Sequence, residues 1–318
     1  MCELFGVSKQ AYYKYDGKAA IRKAVQRELV IQYIKQIREL DPGIGGMKLW
    51  HMYQKEFGTN SPVGRDRFED IVDECGLKVR LRVRAPRTTD SSHGLPTFPN
   101  LVKDLIPTAP NQLWVSDITY ITIWVGEDRY IFGYLSIVMD AYTKEIIGWS
   151  LGETLETSYP LEALRMALRR IEGRTGIALI HHSDRGCQYA SKEYVALLRG
   201  HDIKISKTEC GDPKDNAQAE RINNTMKNEL LKGKLFTSIE MARSSVADAV
   251  NFYNYRRPHM SIDMMTPYEA SFHTGELKKH WVSYRERAIE SKSGALIVAE
   301  ESLPCQGSPS GLRPPVNP

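Results

Sequence analysis

Cysteine is scarce and badly placed for chemistry in this sequence. The five thiols, Cys2, Cys75, Cys187, Cys210 and Cys305, are scattered and odd in number, and no C-x-x-C spacing occurs. That excludes a disulfide framework and a zinc ribbon, and it fits a reducing compartment. Long apolar runs are lacking too. No stretch approaches the length of a membrane span and no signal peptide opens the sequence, so a cytoplasmic setting away from membranes is expected. Net charge is also small: 43 basic against 39 acidic residues leaves +4. Total charge therefore gives no argument for a polyanionic partner. Local charge does. Lys78, Arg80, Arg82, Arg84 and Arg87 fall within Lys78–Thr89, which holds no acidic residue. A solvated linker would look the same, but arginines beside a site for a polyanion favour nucleic acid.

What is present is enough chain for one large domain and a smaller one, at 318 residues with ordinary apolar and charged fractions. Residues 1–84 read as short helices joined by Gly-containing turns: Ile21–Leu40, with apolar residues at Ile21, Val25, Leu29, Ile34, Ile37 and Leu40, then Met47–Phe57 and Arg65–Cys75 with Gly76 as C-cap. The start, Cys2–Tyr12, reads as the tail of a similar unit with Ser8 as a cap. Such a series suits a helix-turn-helix module or a plain helical one. Residues 85–110 carry Pro86, Pro96, Pro99, Pro107 and Pro110 and read as a linker.

From about residue 111 to 275 the pattern changes. Leu113–Ile123, Tyr130–Met139 and Glu145–Leu151 read as strands, Pro160–Ile171 as a helix and Ile177–Ile180 as a short buried strand. Glu193–Arg199 reads as helix, Ile203–Ser206 as strand, and Asn216–Leu231 and Met241–Asn254 as helices. This order gives an α/β fold with a mixed five-stranded sheet and flanking helices. Residues 276–318 form a C-terminal extension whose end, Ser302–Pro318, has a disordered composition.

Three acids stand in unusual words: Asp117 in W-V-S-D-I-T-Y, Asp184 in H-H-S-D-R-G-C-Q-Y, and Glu220 in D-N-A-Q-A-E-R, with 35 residues between the last two. Each alone reads as a surface carboxylate. Together, from a strand, a strand end and a helix, they suit hard divalent cations, which prefer oxygen ligands. Asp215 and Gln218 form a variant capping box for the Glu220 helix, on which Glu220, Asn224, Lys227 and Leu231 share a face. His181 reads as packing and His182 as support for the Asp184 loop.

Trp114–Tyr120, His182–Tyr189, Gly211–Glu220, Lys227 and the Y-N-x-x-R-P-H element at Tyr253–His259 resemble, in combination, the second-reading-frame DDE transposases of bacterial insertion sequences, relatives of retroviral integrases. The likeness runs from residue 1 to about 275. It departs at Lys214, where Tyr is common, and at Cys187, where a small hydroxyl residue is common. The resemblance implies an RNase H-like core behind a helix-turn-helix-like front. It implies that Asp117, Asp184 and Glu220 bind two Mg²⁺ (or Mn²⁺) ions for nicking element ends and joining the 3′-hydroxyl to target DNA. Lys227, Asn216, Asn224 and Lys214 would contact DNA, as would Arg257, for which a buttressing role is the equal alternative. The implied partners are terminal inverted repeats and target DNA, further copies of the chain, and the first-reading-frame protein, in a nucleoid setting. A silent DNA-binding regulator, or a nuclease that cuts without joining, are the alternatives.

Overall fold

The structure, a computed structural model, describes residues 8, 17–79, 98–126, 129–174, 176–209 and 216–280, together with 286, 287, 289 and 291. Several expectations fall outside these residues: the start at Cys2–Tyr12 apart from Ser8, Arg80 to Arg87, Lys214, the capping Asp215, and the end Ser302–Pro318.

The chain opens with three helices: α1 (Gly17–Leu40), α2 (Gly46–Phe57) and α3 (Arg65–Glu74). Burial on α1 falls on Val30, Tyr33, Ile34 and Ile37, one helical stripe. The stripe is shorter than the sequence pattern. Ile21 and Val25 stand 65% and 64% exposed, because the helix extends past the core that its C-terminal half builds. Pro42 lacks the N–H that would continue the ladder, so the last helical bond is Asp41 N–H to the Ile37 carbonyl. Tyr53 holds the three helices together, with ring centroids 5.4 Å from Tyr33 and 5.7 Å from Phe68. Gly76 takes φ +63°, and Leu77 N–H reaches back to the Val72 carbonyl, which closes α3 with a Schellman turn.

The sheet has five strands in the order β3-β2-β1-β4-β5. β1 (Leu113–Trp124), β2 (Tyr130–Asp140) and β3 (Ile146–Gly152) form an antiparallel meander. β4 (Ile180–Ser183) and β5 (Lys204–Lys207) add in parallel on the other side of β1. Between these strands lie α4 (Ser158–Leu168) and α5 (Lys192–Gly200), the latter capped by Ser191. α6 (Ala217–Thr225) continues as a π turn over Met226–Leu230, followed by α7 (Ile239–Tyr255) and the short α8 (Pro267–Ala270). This is the RNase H-like arrangement.

β4 begins where the apolar run ends. Ile180, not Ile177, is the first residue to pair, and His181, His182 and Ser183 carry the ladder. Buried polar residues hold a central strand here because their side chains are paired inside. His181 Nε2 bonds Ser116 Oγ at 2.8 Å and the Tyr194 hydroxyl at 3.0 Å, while His182 Nδ1 bonds Ser206 Oγ at 2.8 Å. Burial holds His181 neutral, with a pKa of about 3.

One core lies on the sheet face carrying Trp114 and Val138, under α4 and α5. The other runs continuously from Val30 and Leu49, through Val115 and Ile137, to Val246 and Phe252. The front helices therefore share a core with the sheet. The described part of the Pro-rich segment is also packed: Val102 is 2% exposed, and Leu101 N–H donates to Ser206 Oγ.

Candidate active site

β4 is shorter than β1, and that difference places the first two acids. The parallel pairing ends at Ser116↔Ser183. Asp117 and Asp184 are the residues that follow this pair, close enough for Asp184 to repel the Asp117 charge. Asp184 thus leaves the strand directly, three residues closer to it than the apolar run suggested. Ligand sites in such sheets gather at strand carboxyl ends.

Asp117 is held at both oxygens. Oδ1 accepts the Ile118 N–H at 2.9 Å and Oδ2 accepts Asn223 Nδ2–H at 2.9 Å. Burial pushes its pKa up to about 7, Asp184 and Glu220 add repulsion, and the two donors only partly offset the rise. Asp184 Oδ1 accepts the Gly186 N–H at 2.9 Å. A Cβ at Gly186 would lie 3.0 Å from that oxygen, so this turn favours glycine. Its neighbours fix the rest of the loop. Arg185 Nε donates to the Thr208 carbonyl, Gln188 Nε2 donates to the Leu155 carbonyl, and Tyr189 packs at 2% exposure.

Glu220 lies exposed in the first turn of α6. The start of α6 differs from expectation. Asn216 occupies the N-cap, makes no side-chain cap, and donates from Nδ2 to the Ser116 carbonyl at 3.1 Å. Gln218 accepts from Lys144 Nζ at 3.0 Å. Asn216 and Asn223 together fasten α6 alongside β1 at residues 116 and 117. Asn216 is 6% exposed and bonded to backbone, so in the structure it holds the helix to β1. The shared face ends before Leu231. The π turn adds a residue to the helical repeat, and Leu230 and Leu231 are both buried. Asn224 stays exposed and accepts from Asn228 Nδ2 at 2.6 Å. Lys227 folds back so that Nζ lies 3.6 Å from the centre of the Tyr120 ring, and burial lowers its pKa.

Arg257 is 4% exposed, a position that favours the buttressing alternative. Its Nε donates to Glu229 Oε1 at 2.8 Å, Asp41 Oδ2 lies 3.6 Å away, and Lys48 Nζ meets the same Glu229 oxygen at 3.2 Å. Asn254 brackets Ile146 by donating to its carbonyl and accepting its N–H, and the His259 ring stands 4.7 Å from Tyr253. The Y-N-x-x-R-P-H element is therefore a buried joint.

Asn223 was missed by sequence reasoning because nothing local marks it among three neighbouring polar positions. Lys207 was missed as well. It ends β5 opposite Ser183, its Nζ is buried without a hydrogen-bond partner, and it feels the charge of Asp184.

The donor set suits a hard cation. The carboxylates are all oxygen, mutually repelling, and flanked by the Asn216 and Asn223 amide oxygens, which are buried without hydrogen-bond partners. Among the described residues no three His, Cys, Asp or Glu side chains are drawn into a closed cage.

Comparison with known proteins agrees with this arrangement. The integrase core domain family matches residues 107–213, and a second integrase core domain family matches residues 201–267. The insertion element IS600 31 kDa protein of Shigella sonnei is 35% identical over 84% of this chain and 96% of its own length. The putative transposase of IS986/IS6110 from Mycobacterium tuberculosis is 32% identical over 83% and 94% respectively. The transposase InsF of IS3A from Escherichia coli is 32% identical over 60% of this chain and 65% of its own. Among solved structures, the HTLV-2 integrase catalytic core domain aligns over 51% of this chain and 97% of that one, with 19% identity and a TM-score of 0.38. With an RNase H-like sheet that places Asp117 beside Asp184, and kinship running along most of both sequences, the chain belongs to the bacterial insertion-sequence transposases of the second-reading-frame type, enzymes of DNA transposition and recombination.

Proposed function

We propose that Asp117, Asp184 and Glu220 form the reaction centre of a DNA strand transferase. The observation that carries this is the adjacency of Asp117 and Asp184 just past the Ser116↔Ser183 pair, with the Glu220 helix fastened alongside by Asn216 and Asn223. The three acids would hold two Mg²⁺ (or Mn²⁺) ions, which when bound supply positive charge to the attacking and leaving oxygens of phosphoryl transfer. Asn223 and the Ile118 N–H hold the Asp117 carboxylate in one orientation. Lys227 offers a cation to a backbone phosphate beside the scissile bond.

Two displacements follow in order. A water oxygen bonds to phosphorus at the element end, the P–O3′ bond breaks, and a 3′-hydroxyl is released. That hydroxyl oxygen then bonds to a target phosphorus, the target P–O3′ bond breaks, and one phosphodiester replaces another. Neither a covalent enzyme intermediate nor ATP is needed. Holding two ends together calls for more than one copy of the chain. The first-reading-frame protein would supply further end recognition, as the family resemblance implies.

The test is a pre-nicked terminal-repeat oligonucleotide incubated with target plasmid and Mg²⁺, with and without the first-frame protein, and with Glu220→Gln in parallel. Joined product from the wild type alone is expected. Cleavage without joining would support the nuclease reading, and binding with neither reaction in either mixture would support the silent regulator.

A further inference from the structure

The β1–β2 hairpin extends beyond the rest of the sheet. β3 stops pairing at Tyr134↔Gly152, and α4 begins at that level, with the Tyr159 ring so close to Gly152 that a Cβ there would lie 2.2 Å away. β4 has already ended at Ser116. Past these points one hairpin face carries Tyr120, Thr122 and Trp124 on β1, opposite Tyr134, Phe132 and Tyr130 on β2. Four of these rings touch in sequence: Tyr120 to Phe132 at 4.9 Å, Phe132 to Tyr130 at 5.4 Å, and Tyr130 to Trp124 at 5.7 Å. Tyr130 is 54% exposed and Phe132 37%. An apolar strip of this kind on a soluble surface marks a binding face.

The surroundings favour one occupant. Lys227 seats its ammonium on Tyr120 at the inner end, where β1 no longer has β4 beside it; Tyr120 lies three residues from Asp117 and so on the opposite face of the sheet. Arg129 is exposed at the outer end, and the six positions on this face include no acidic residue. Flat rings with a cation at the inner end match the two parts of an unpaired nucleotide: a base with a π face and a phosphate. A duplex hides its base faces within its own stack and would present only phosphates. From Tyr120 to Trp124 the strip is about 14 Å long at roughly 3.4 Å per residue, enough for about three stacked bases.

We infer that Phe132, Tyr130 and Trp124 form a stacking platform for unpaired nucleobases at a DNA end, reached from the reaction centre round the open edge of β1 past Lys227 on Tyr120. The inference rests on the proposed DNA chemistry of that centre. It assigns the hairpin the task of holding frayed bases while the terminal phosphate is exposed to Asp117 and Asp184.

The experiment measures binding of the full chain to three DNAs: a blunt terminal-repeat duplex, the same duplex with three unpaired bases at its end, and the unpaired strand alone. Phe132→Leu keeps apolar area but removes the ring, and Tyr130→Ala removes the other exposed ring. The wild type should favour the frayed end over the blunt one by about fivefold or more, the effect of one stacked base. Both variants should reduce that preference to within about twofold, with blunt binding and thermal unfolding unchanged. Equal binding of frayed and blunt ends by the wild type overturns the platform, as does a preference that survives both substitutions. A change of oligomeric state on sedimentation of either variant would also overturn it and mark the strip as a contact between copies. If the wild type, with the first-frame protein added, neither binds the blunt duplex nor nicks it with Mg²⁺, the proposed strand-transfer chemistry of the acidic centre fails. The platform is then decided separately by whether the variants lose the unpaired strand.

Discussion

At Asp117 the requirements of function oppose those of stability. Its carboxyl has a pKa of about 7, against an ordinary value near 4, because it is buried beside Asp184. Between about pH 4 and pH 7 the folded chain therefore holds a proton that the unfolded chain has lost. Stability falls as pH rises through that range, and the full cost is present above it. In metal-free buffer at pH 8, Asp117→Asn should raise stability by about 1–3 kcal/mol, read as a higher Tm. Addition of Mg²⁺ should raise the wild-type Tm more than the variant's, since a ligand that binds only the folded state stabilises it. An unchanged Tm in the variant would contradict the burial argument. Asn223 gives a second test. Asn223→Ala removes the hydrogen bond to Asp117 Oδ2, so strand joining should fall by about tenfold or more with duplex affinity retained. Neither effect was legible in the sequence. The word W-V-S-D-I-T-Y marks Asp117, but its partner lies 106 positions away.

Among the elements, the π turn after α6 and the turn before α2 make one joint. Gly43 N–H donates to the Glu229 carbonyl, and a Cβ on Gly43 would lie 2.5 Å from Glu229 Cα. Burial pushes Glu229 up, but Arg257 and Lys48 outweigh it and hold it at about 2. Asp41 is driven the other way, to about 7, by burial and by repulsion from Glu229. The two acids should therefore respond differently to loss of charge. Glu229→Gln leaves Arg257 and Lys48 buried without their counter-charge and should cost about 3–5 kcal/mol. Asp41→Asn should instead raise stability near pH 7, by about 1–3 kcal/mol, because a buried carboxyl whose pKa is raised costs stability above its unfolded value. Calorimetry on both variants checks the contrast, and equal losses would sink it. Helix and strand types were legible here from spacing alone, as were the caps at Gly76 and the stop at Pro42. The π turn was not, because Met226–Leu230 has no local mark; it is set by burying Leu230 and Leu231 while Glu229 meets Arg257. The exposed Ile21 and Val25 fooled the periodicity for a related reason: an apolar stripe says which face could be buried, not how far the core reaches.

For the whole molecule, the front helices and the catalytic sheet act as one body. Val30, Ile34, Ile37 and Leu49 lie in the same core as Val115, Ile137 and Phe252. A fragment beginning at Phe98 would expose that core and strip Lys48 and Asp41 from Glu229 and Arg257. It should fail to give a cooperative unfolding transition, whereas the full chain should give one; a sharp transition in the fragment would refute the shared core. DNA affinity should fall steeply with salt as phosphate contacts release counterions, and Lys227→Ala should flatten the slope by about one. By itself the sequence determined the class of fold and the order of its strands and helices, and it marked three acids as candidates, because each is written in a short local pattern of period, turn or motif. The tertiary structure decided which polar residues serve the site and which serve the frame. Asn223 joins Asp117, Asn216 turns to backbone, and Arg257 meets Glu229, which also holds Lys48 from 181 positions away. The reason is physical: a polar side chain's partner is fixed by what folding buries beside it, and that neighbour is set by distance in space, not along the chain.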